Sequence, residues 1–219
     1  MQPKIIFFAF VMTVCSLTSF SQQQLNIATG LSFDMNDSNR GKFLNVPIVL
    51  QYLPTSSHRV SFLINANVQL PIWSNAGYDS GFSINATPHA TRFKKSIQNL
   101  NYAVSFGLRI NFPIPKNQHV FLDILPLGFC QQQFTVKYKN YNSSQYDILN
   151  PDVNLDKFGL VMSMGTGYIY KKFFCEITIQ TPLLIVDLGN KHHYDLSYQY
   201  AAPLQLIAGY SFNLKKHKK

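Results

Sequence analysis

Residues 100–112 read LNYAVSFGLRINF, and residues 60–72 read VSFLINANVQLPI. In the first stretch Leu100, Tyr102, Val104, Phe106, Leu108, Ile110 and Phe112 alternate with Asn101, Ala103, Ser105, Gly107, Arg109 and Asn111. Successive side chains of a strand point to opposite faces, so the pattern sorts an apolar face from a face of small and neutral polar groups. A helix would scatter the same residues around its circumference. The second stretch repeats the sorting, with Val60, Phe62, Ile64, Ala66, Val68, Leu70 and Ile72 set mostly against Ser61, Asn65, Asn67 and Gln69.

The alternation recurs along the chain. It is found over Leu25 to Phe33, Leu44 to Tyr52, Phe158 to Tyr170, Phe173 to Ile179 and Leu196 to Phe212. It also runs from Val120 to Tyr138, where Pro126 and Gly128 predict a bulge that leaves the register open. The links between these eight runs alternate too. Pro54 to His58, Pro113 to Gln118 and Lys171-Lys172 are short, whereas Asp34 to Lys42, Trp73 to Asn99, Lys139 to Asp156 and Gly189 to Asp195 are longer. Short turns on one rim and long loops on the other predict an all-β fold: a closed, antiparallel, up-and-down transmembrane β-barrel of about eight strands.

Orientation follows from the chemistry of the polar face. Charged residues make up 13% of the chain and aromatics 14%, whereas a soluble domain carries about a quarter charged residues. The polar face is mostly Asn, Gln, Ser, Thr, Gly and Ala, not the Lys, Glu and Asp of a water-facing sheet. These small groups suit a narrow lumen, which places the apolar face outward in lipid. Aromatics gather toward both strand ends: Tyr52, Phe112, Tyr170, Phe173 and Phe212 at the short-turn rim, and Phe33, Trp73, Tyr102, Phe134, Phe158 and Tyr198 toward the long loops. Two such girdles match the two lipid interfaces.

The N-terminus predicts export. An uncharged run from Ile5 to Val14 is too short to span a membrane, and Ser19-Phe20-Ser21 gives a small-x-small cleavage pattern. Residues 1–21 are therefore read as a cleaved signal peptide, and 22–219 as a single barrel domain with a basic tail, Lys215-Lys216-His217-Lys218-Lys219. Loss of Lys4 lowers the formal net charge from +9 to +8 and leaves Cys130 and Cys175, each read as a small apolar filler. The expected location is the outer membrane of a Gram-negative-type bacterium, with lipid and lipopolysaccharide as surroundings and no nucleic-acid partner.

With these runs and loops in view, the chain over residues 22–214 resembles the small outer-membrane barrels of the OmpA, OmpX and PorT-like kind. Gly209, Phe212 and Leu214 fit the glycine-x-x-hydrophobic-x-hydrophobic signal of the last strand in such families, with Ile207 standing where that signal prefers a polar residue. The resemblance implies a non-enzymatic barrel that serves surface interaction, membrane integrity or assembly, and its PorT-like part implies an accessory role in protein secretion.

No catalytic, cofactor or metal pattern stands out. Arg109 and Asp123, counted back from the turn at Pro113 to Gln118, fall opposite each other on the lumen face, and Glu176 projects inward at similar height; together they are expected to form a charge cluster. Its plainer role is to satisfy buried charge. Arg92, Lys94 and Lys95 form a basic patch in the longest loop, suited to lipopolysaccharide phosphates or to an acidic protein partner. His192-His193 are adjacent and chelate poorly if extended, so they read as a solvated loop. Two alternatives stay open: a lipid A-modifying enzyme using that histidine pair, and a narrow transporter for a small solute that depends on Arg109.

Overall fold

The computed structural model describes residues 23–34, 42–54, 59–75, 78–84, 90–115, 118–142, 144–148, 155–187 and 203–214. Ten strands occur in this order: β1 (Gln23–Asp34), β2 (Lys42–Leu53), β3 (Val60–Asn75), β4 (Tyr78–Ser83), β5 (Ala90–Ile114), β6 (Gln118–Tyr138), β7 (Tyr146–Ile148), β8 (Leu155–Tyr170), β9 (Phe173–Asp187) and β10 (Pro203–Leu214). Eight of them form an antiparallel wall ordered β3-β2-β1-β10-β9-β8-β6-β5, and pairing of β3 with β5 closes it. The first and last strands meet along their whole length, from Gln23 opposite Leu214 to Asp34 opposite Pro203. The barrel therefore has no free edge, which is the condition for a sheet to sit in hydrocarbon.

The faces sort as the alternation requires. Outward side chains include Ile27, Ile48, Phe62, Leu108, Phe129, Met164, Ile177 and Leu206, one from each barrel strand, each between 42 and 49% exposed. The opposite parity is buried: Asn26, Gln51, Ser61, Asn101, Asp123, Ser163, Thr178 and Gln205 are 0–5% exposed. This is a soluble protein turned inside out. A strand of 12 residues such as β1 runs about 40 Å, or about 30 Å along the axis at a tilt of about 40°, enough to cross an apolar band of about 25 Å. Among the described residues no helix is long and apolar enough to cross a membrane.

At the short-turn rim, Phe112, Tyr170, Phe173 and Phe212 are exposed as expected, and Phe173 and Tyr210 meet edge to face at 5.2 Å. Tyr52 keeps the outward parity yet is covered, at 7% exposure. Toward the other rim Phe33 and Phe158 are exposed, Tyr102 is half-buried, and Phe158 stacks with Phe129 at 6.3 Å. The side chains of Trp73 and Phe134, Tyr198, residues 1–22 with the expected leader, and the tail 215–219 lie outside the described residues.

Three features either resolve what the sequence left open or differ from it. The bulge in β6 falls between Leu125 and Gly128, so Leu127 and Phe129 face out while Gly128, Cys130 and Gln132 face in. Outward positions therefore change parity across the bulge, from Val120, Leu122 and Ile124 before it to Leu127 and Phe129 after it. Second, residues 78–83, 90–99 and 146–148 are strands, not loop: β5 extends beyond the barrel, pairs with β4 from Ala90 to Lys94, and β4 pairs with β7. The last run, expected from Leu196, is described from Pro203, and residues 188–202 lie outside the described residues.

The third concerns the lumen, which is not purely polar. Ala28, Val49, Phe121, Ile169, Phe174 and Ile207 form one buried apolar cluster inside the wall. Leu53, Leu63 and Leu125 form a second, and Ala103, Cys130 and Val161 a third. Ile207 occupies the position where the last-strand signal prefers a polar residue because its side chain completes the first cluster. Cys130 is an inward filler, as expected, but Cys175 is exposed on the outer wall, so the two thiols lie on opposite faces of the sheet.

Candidate functional site: a lumen plug and a strand extension

The short turn between β5 and β6 fixes the register that brings the lumen charges together. Pro113 pairs with His119, and counting inward sets Arg109 directly opposite Asp123. The guanidinium donates through Nε to Asp123 Oδ1 at 2.7 Å and through Nη2 to Oδ2 at 2.6 Å, a two-pronged pair of the kind arginine's planar fork favours. The Arg109 guanidinium carbon lies 3.8 Å from the centre of the Phe121 ring, so the cation is held by a carboxylate on its edge and an aromatic face.

Glu176 joins from β9. Its Oε2 lies 3.6 Å from Arg109 Nη2 and accepts a hydrogen bond from Gln51 Nε2 at 2.7 Å, while Thr178 donates to Oε1 at 2.7 Å. Gln51 also accepts, through Oε1, from Arg109 Nη2 at 2.9 Å and from Asn26 at 3.1 Å. The predicted three-member cluster is thus assembled, and Gln51, Asn26, Thr178 and Phe121 belong with it. Sequence reasoning does not single out Gln51. Its inward parity on β2 is visible there, but its distance across the lumen from β9 is not.

Two glycines on β8 make room for the cluster. A Cβ on Gly165 would lie 2.7 Å from Glu176 Oε1 and 2.9 Å from Thr178 Oγ1; one on Gly167 would lie 2.7 Å from a Phe121 ring carbon. These clashes mean that β8 carries a groove in which the Phe121 ring and the Glu176 carboxylate lie. Arg109, Asp123 and Glu176 are 1%, 0% and 4% exposed. With the apolar clusters beside them, they fill the lumen near the short-turn end. Toward the other end the lumen is lined by amides, among them Asn45, Gln69, Asn99, Asn101 and Gln132.

The basic patch sits on the extension of β5, not on a loop. Phe93 is buried and meets Tyr141 and Tyr146 edge to face at 5.4 and 5.1 Å. Strand alternation then turns Arg92 and Lys94 to the opposite, exposed face. Lys95 is the next strand position, paired with Tyr138, and its side chain is not described. Two of the three predicted cations therefore share a face. Lys137, on the adjoining end of β6, and Lys139, just beyond it, are exposed. His192 and His193, with Lys191, lie outside the described residues. Among the described residues, no group of three His, Cys, Asp or Glu is placed to hold a metal.

No family model and no curated protein matches the chain. Among solved structures it is similar to Ail, the attachment invasion locus protein of Yersinia pestis, at 12% identity over 88% of this chain and 99% of that one, with a TM-score of 0.44. It is also similar to a major outer membrane protein from Thermus thermophilus, at 10% identity over 87% and 99% with a TM-score of 0.42. A third is Neisserial surface protein A, at 8% identity over 87% and 96% with a TM-score of 0.33. The Yersinia and Thermus proteins are outer-membrane proteins. At these identities no residue's role carries over to this chain.

Proposed function

We propose that the chain is an integral outer-membrane barrel that acts as a plugged scaffold, presenting the β4–β5–β7 extension as a contact surface rather than conducting solute. One observation carries this reading: the wall is apolar outside on all eight barrel strands while the lumen is filled by Arg109, Asp123, Glu176 and three apolar clusters. An eight-stranded barrel is just wide enough to be filled by its own side chains. A filled lumen leaves the rims as the working surfaces.

On the long-connection rim, exposed Arg92 and Lys94 favour contact with phosphate or carboxylate groups, such as those of lipopolysaccharide or an acidic protein. The rigid strand beneath them, pinned by Phe93 against Tyr141 and Tyr146, holds the charges without the ordering cost that a free loop would carry. The secretion role implied by the PorT-like resemblance is one form such contact would take, and no side chain favours it over adhesion. The lipid A-modifying alternative rests on His192 and His193, outside the described residues.

The test pairs two measurements on the purified protein in lipid. Planar bilayers should stay electrically silent, and co-sedimentation with lipopolysaccharide vesicles should weaken on Arg92→Gln/Lys94→Gln without loss of folding. Steady conductance by the unmodified protein would refute the plugged scaffold, and unaltered binding by the double variant would refute the contact surface.

A further inference from the structure

The floor of the plug, seen from the short-turn side, is the ceiling of a second feature. A cavity of about 320 Å³ opens at that mouth, and its lining includes Arg59, Arg109, His119, Lys171, Lys172 and Ser211. These come from β5, β6, β10, the residue just before β3 and the β8–β9 turn. Arg109 spends Nε and Nη2 on Asp123 and Gln51, but Nη1 is buried and has no partner among the described residues; the same holds for His119 Nδ1 and Ser211 Oγ. A buried guanidinium N–H left without an acceptor carries its full desolvation penalty. Arg109 is among the residues that line the cavity.

The surrounding charge has one sign. Arg59, Lys171 and Lys172 stand at the mouth, and the carboxylates of Asp123 and Glu176 lie behind Arg109, already engaged by Arg109, Gln51 and Thr178. The turn itself is unusual: Lys171 has φ of 56°, a left-handed conformation that ordinarily selects glycine or asparagine. The two-residue turn thus carries a lysine at position 171, where glycine or asparagine fits the backbone better. Lys171 and Lys172 lie over the Tyr170 and Tyr210 rings, at 5.3 and 5.8 Å from their centres, which keeps both ammonium groups at the rim.

We infer that this cavity is an oxyanion-binding site, taking a phosphate or carboxylate group presented from the short-turn side, with Arg109 as the inner cation and Arg59 and Lys172 as the outer ones. The site is separate from the contact surface proposed for the opposite rim. A phosphate group has two sources at this depth, a lipid headgroup or a free solute, and the experiment separates them.

Purified protein in a maltoside detergent, which carries no phosphate, is titrated by calorimetry with inorganic phosphate, with citrate, and with a water-soluble short-chain phosphatidic acid below its micelle concentration. Saturable one-site binding is expected for at least one probe. Preference for the phosphatidic acid assigns the lipid source, and equal or stronger binding of the solutes assigns a free anion. Arg59→Gln/Lys172→Gln should weaken binding at least about tenfold, because two charge-assisted contacts are lost. Lys137→Gln/Lys139→Gln removes the same charge at the far rim and should leave the affinity unchanged. Failure of all three probes to saturate, or an equal loss in both double variants, would overturn the assignment. Both pairs leave the Arg109–Asp123 contact in place, and heat-modifiable migration on gels confirms that each variant is folded.

Discussion

Replacing Arg109 with methionine should be among the most damaging single changes in the chain. The side chain is 1% exposed, donates two hydrogen bonds of 2.6–2.7 Å to Asp123, and is the cation facing both Asp123 and Glu176. Methionine fills much of the space over the Phe121 ring, so packing changes little and electrostatics dominate. Asp123, at 0% exposure, then keeps a buried charge with no cation, and breaking one side of such a pair costs about 3–5 kcal/mol. Adding Asp123→Asn removes that stranded charge and should recover at least about 1–2 kcal/mol, a positive coupling that marks direct contact. The assay is urea unfolding from phosphatidylcholine vesicles, followed by far-ultraviolet circular dichroism and by gel mobility. The reasoning is refuted if Arg109→Met lies within about 0.5 kcal/mol of the parent, or if the double variant is no more stable than the single.

Other perturbations probe the remaining parts. Gly165→Val would push a side chain to within 2.7 Å of Glu176 Oε1, and overpacking of this kind should cost about 1–3 kcal/mol in the same unfolding assay. Lys171→Gly relieves the left-handed φ of 56° and should raise stability by about 0.5–1 kcal/mol, read as a higher urea midpoint. Leu206→Arg places a charge on the outer wall, where Leu206 is 43% exposed; at mid-membrane depth this should cost about 2–4 kcal/mol, whereas a water-facing wall would show almost none. Shaving the plug with Arg109→Ala/Phe121→Ala should produce conductance steps in planar bilayers that the parent lacks.

The eight wall strands are legible in sequence because a closed barrel obeys one simple rule, apolar out and small polar in, for most of its length. Arg109 and Asp123 are legible for a related reason: both lie within four residues of the paired ends Pro113 and His119, so a short turn carries the register to them before any irregularity intervenes. Beyond Leu108 the register shifts, and beyond Leu125 it shifts again against β8. A bulge changes which face a residue takes without changing composition, which is why the sequence leaves the register open after Pro126.

The apolar plug is hidden for a different reason. Leu53, Leu63, Leu125 and Phe174 stand beside outward apolar neighbours, so in sequence they look like lapses in the alternation instead of a second, inward core. Strand β4, with Asp79, Ser80 and Gly81, and the three-residue β7 carry no period-two signal; pairing with the overhanging β5 creates them. The cavity at the short-turn mouth is invisible in sequence because its cations come from residues far apart along the chain, and only closure of the ring brings Arg59 near Lys172.

The most direct measurement places a nitroxide label on the outer wall, at Ile48→Cys and at Met164→Cys, two mid-strand positions 45 and 47% exposed. The protein is reconstituted in lipid and relaxed by either oxygen or a polar nickel chelate. Strong relaxation by oxygen with little effect of the chelate is predicted at both sites, because oxygen concentrates in hydrocarbon and the chelate does not enter it. Dominant relaxation by the chelate, at sites shown to be folded, would mean that water wets this wall and would contradict the membrane barrel itself.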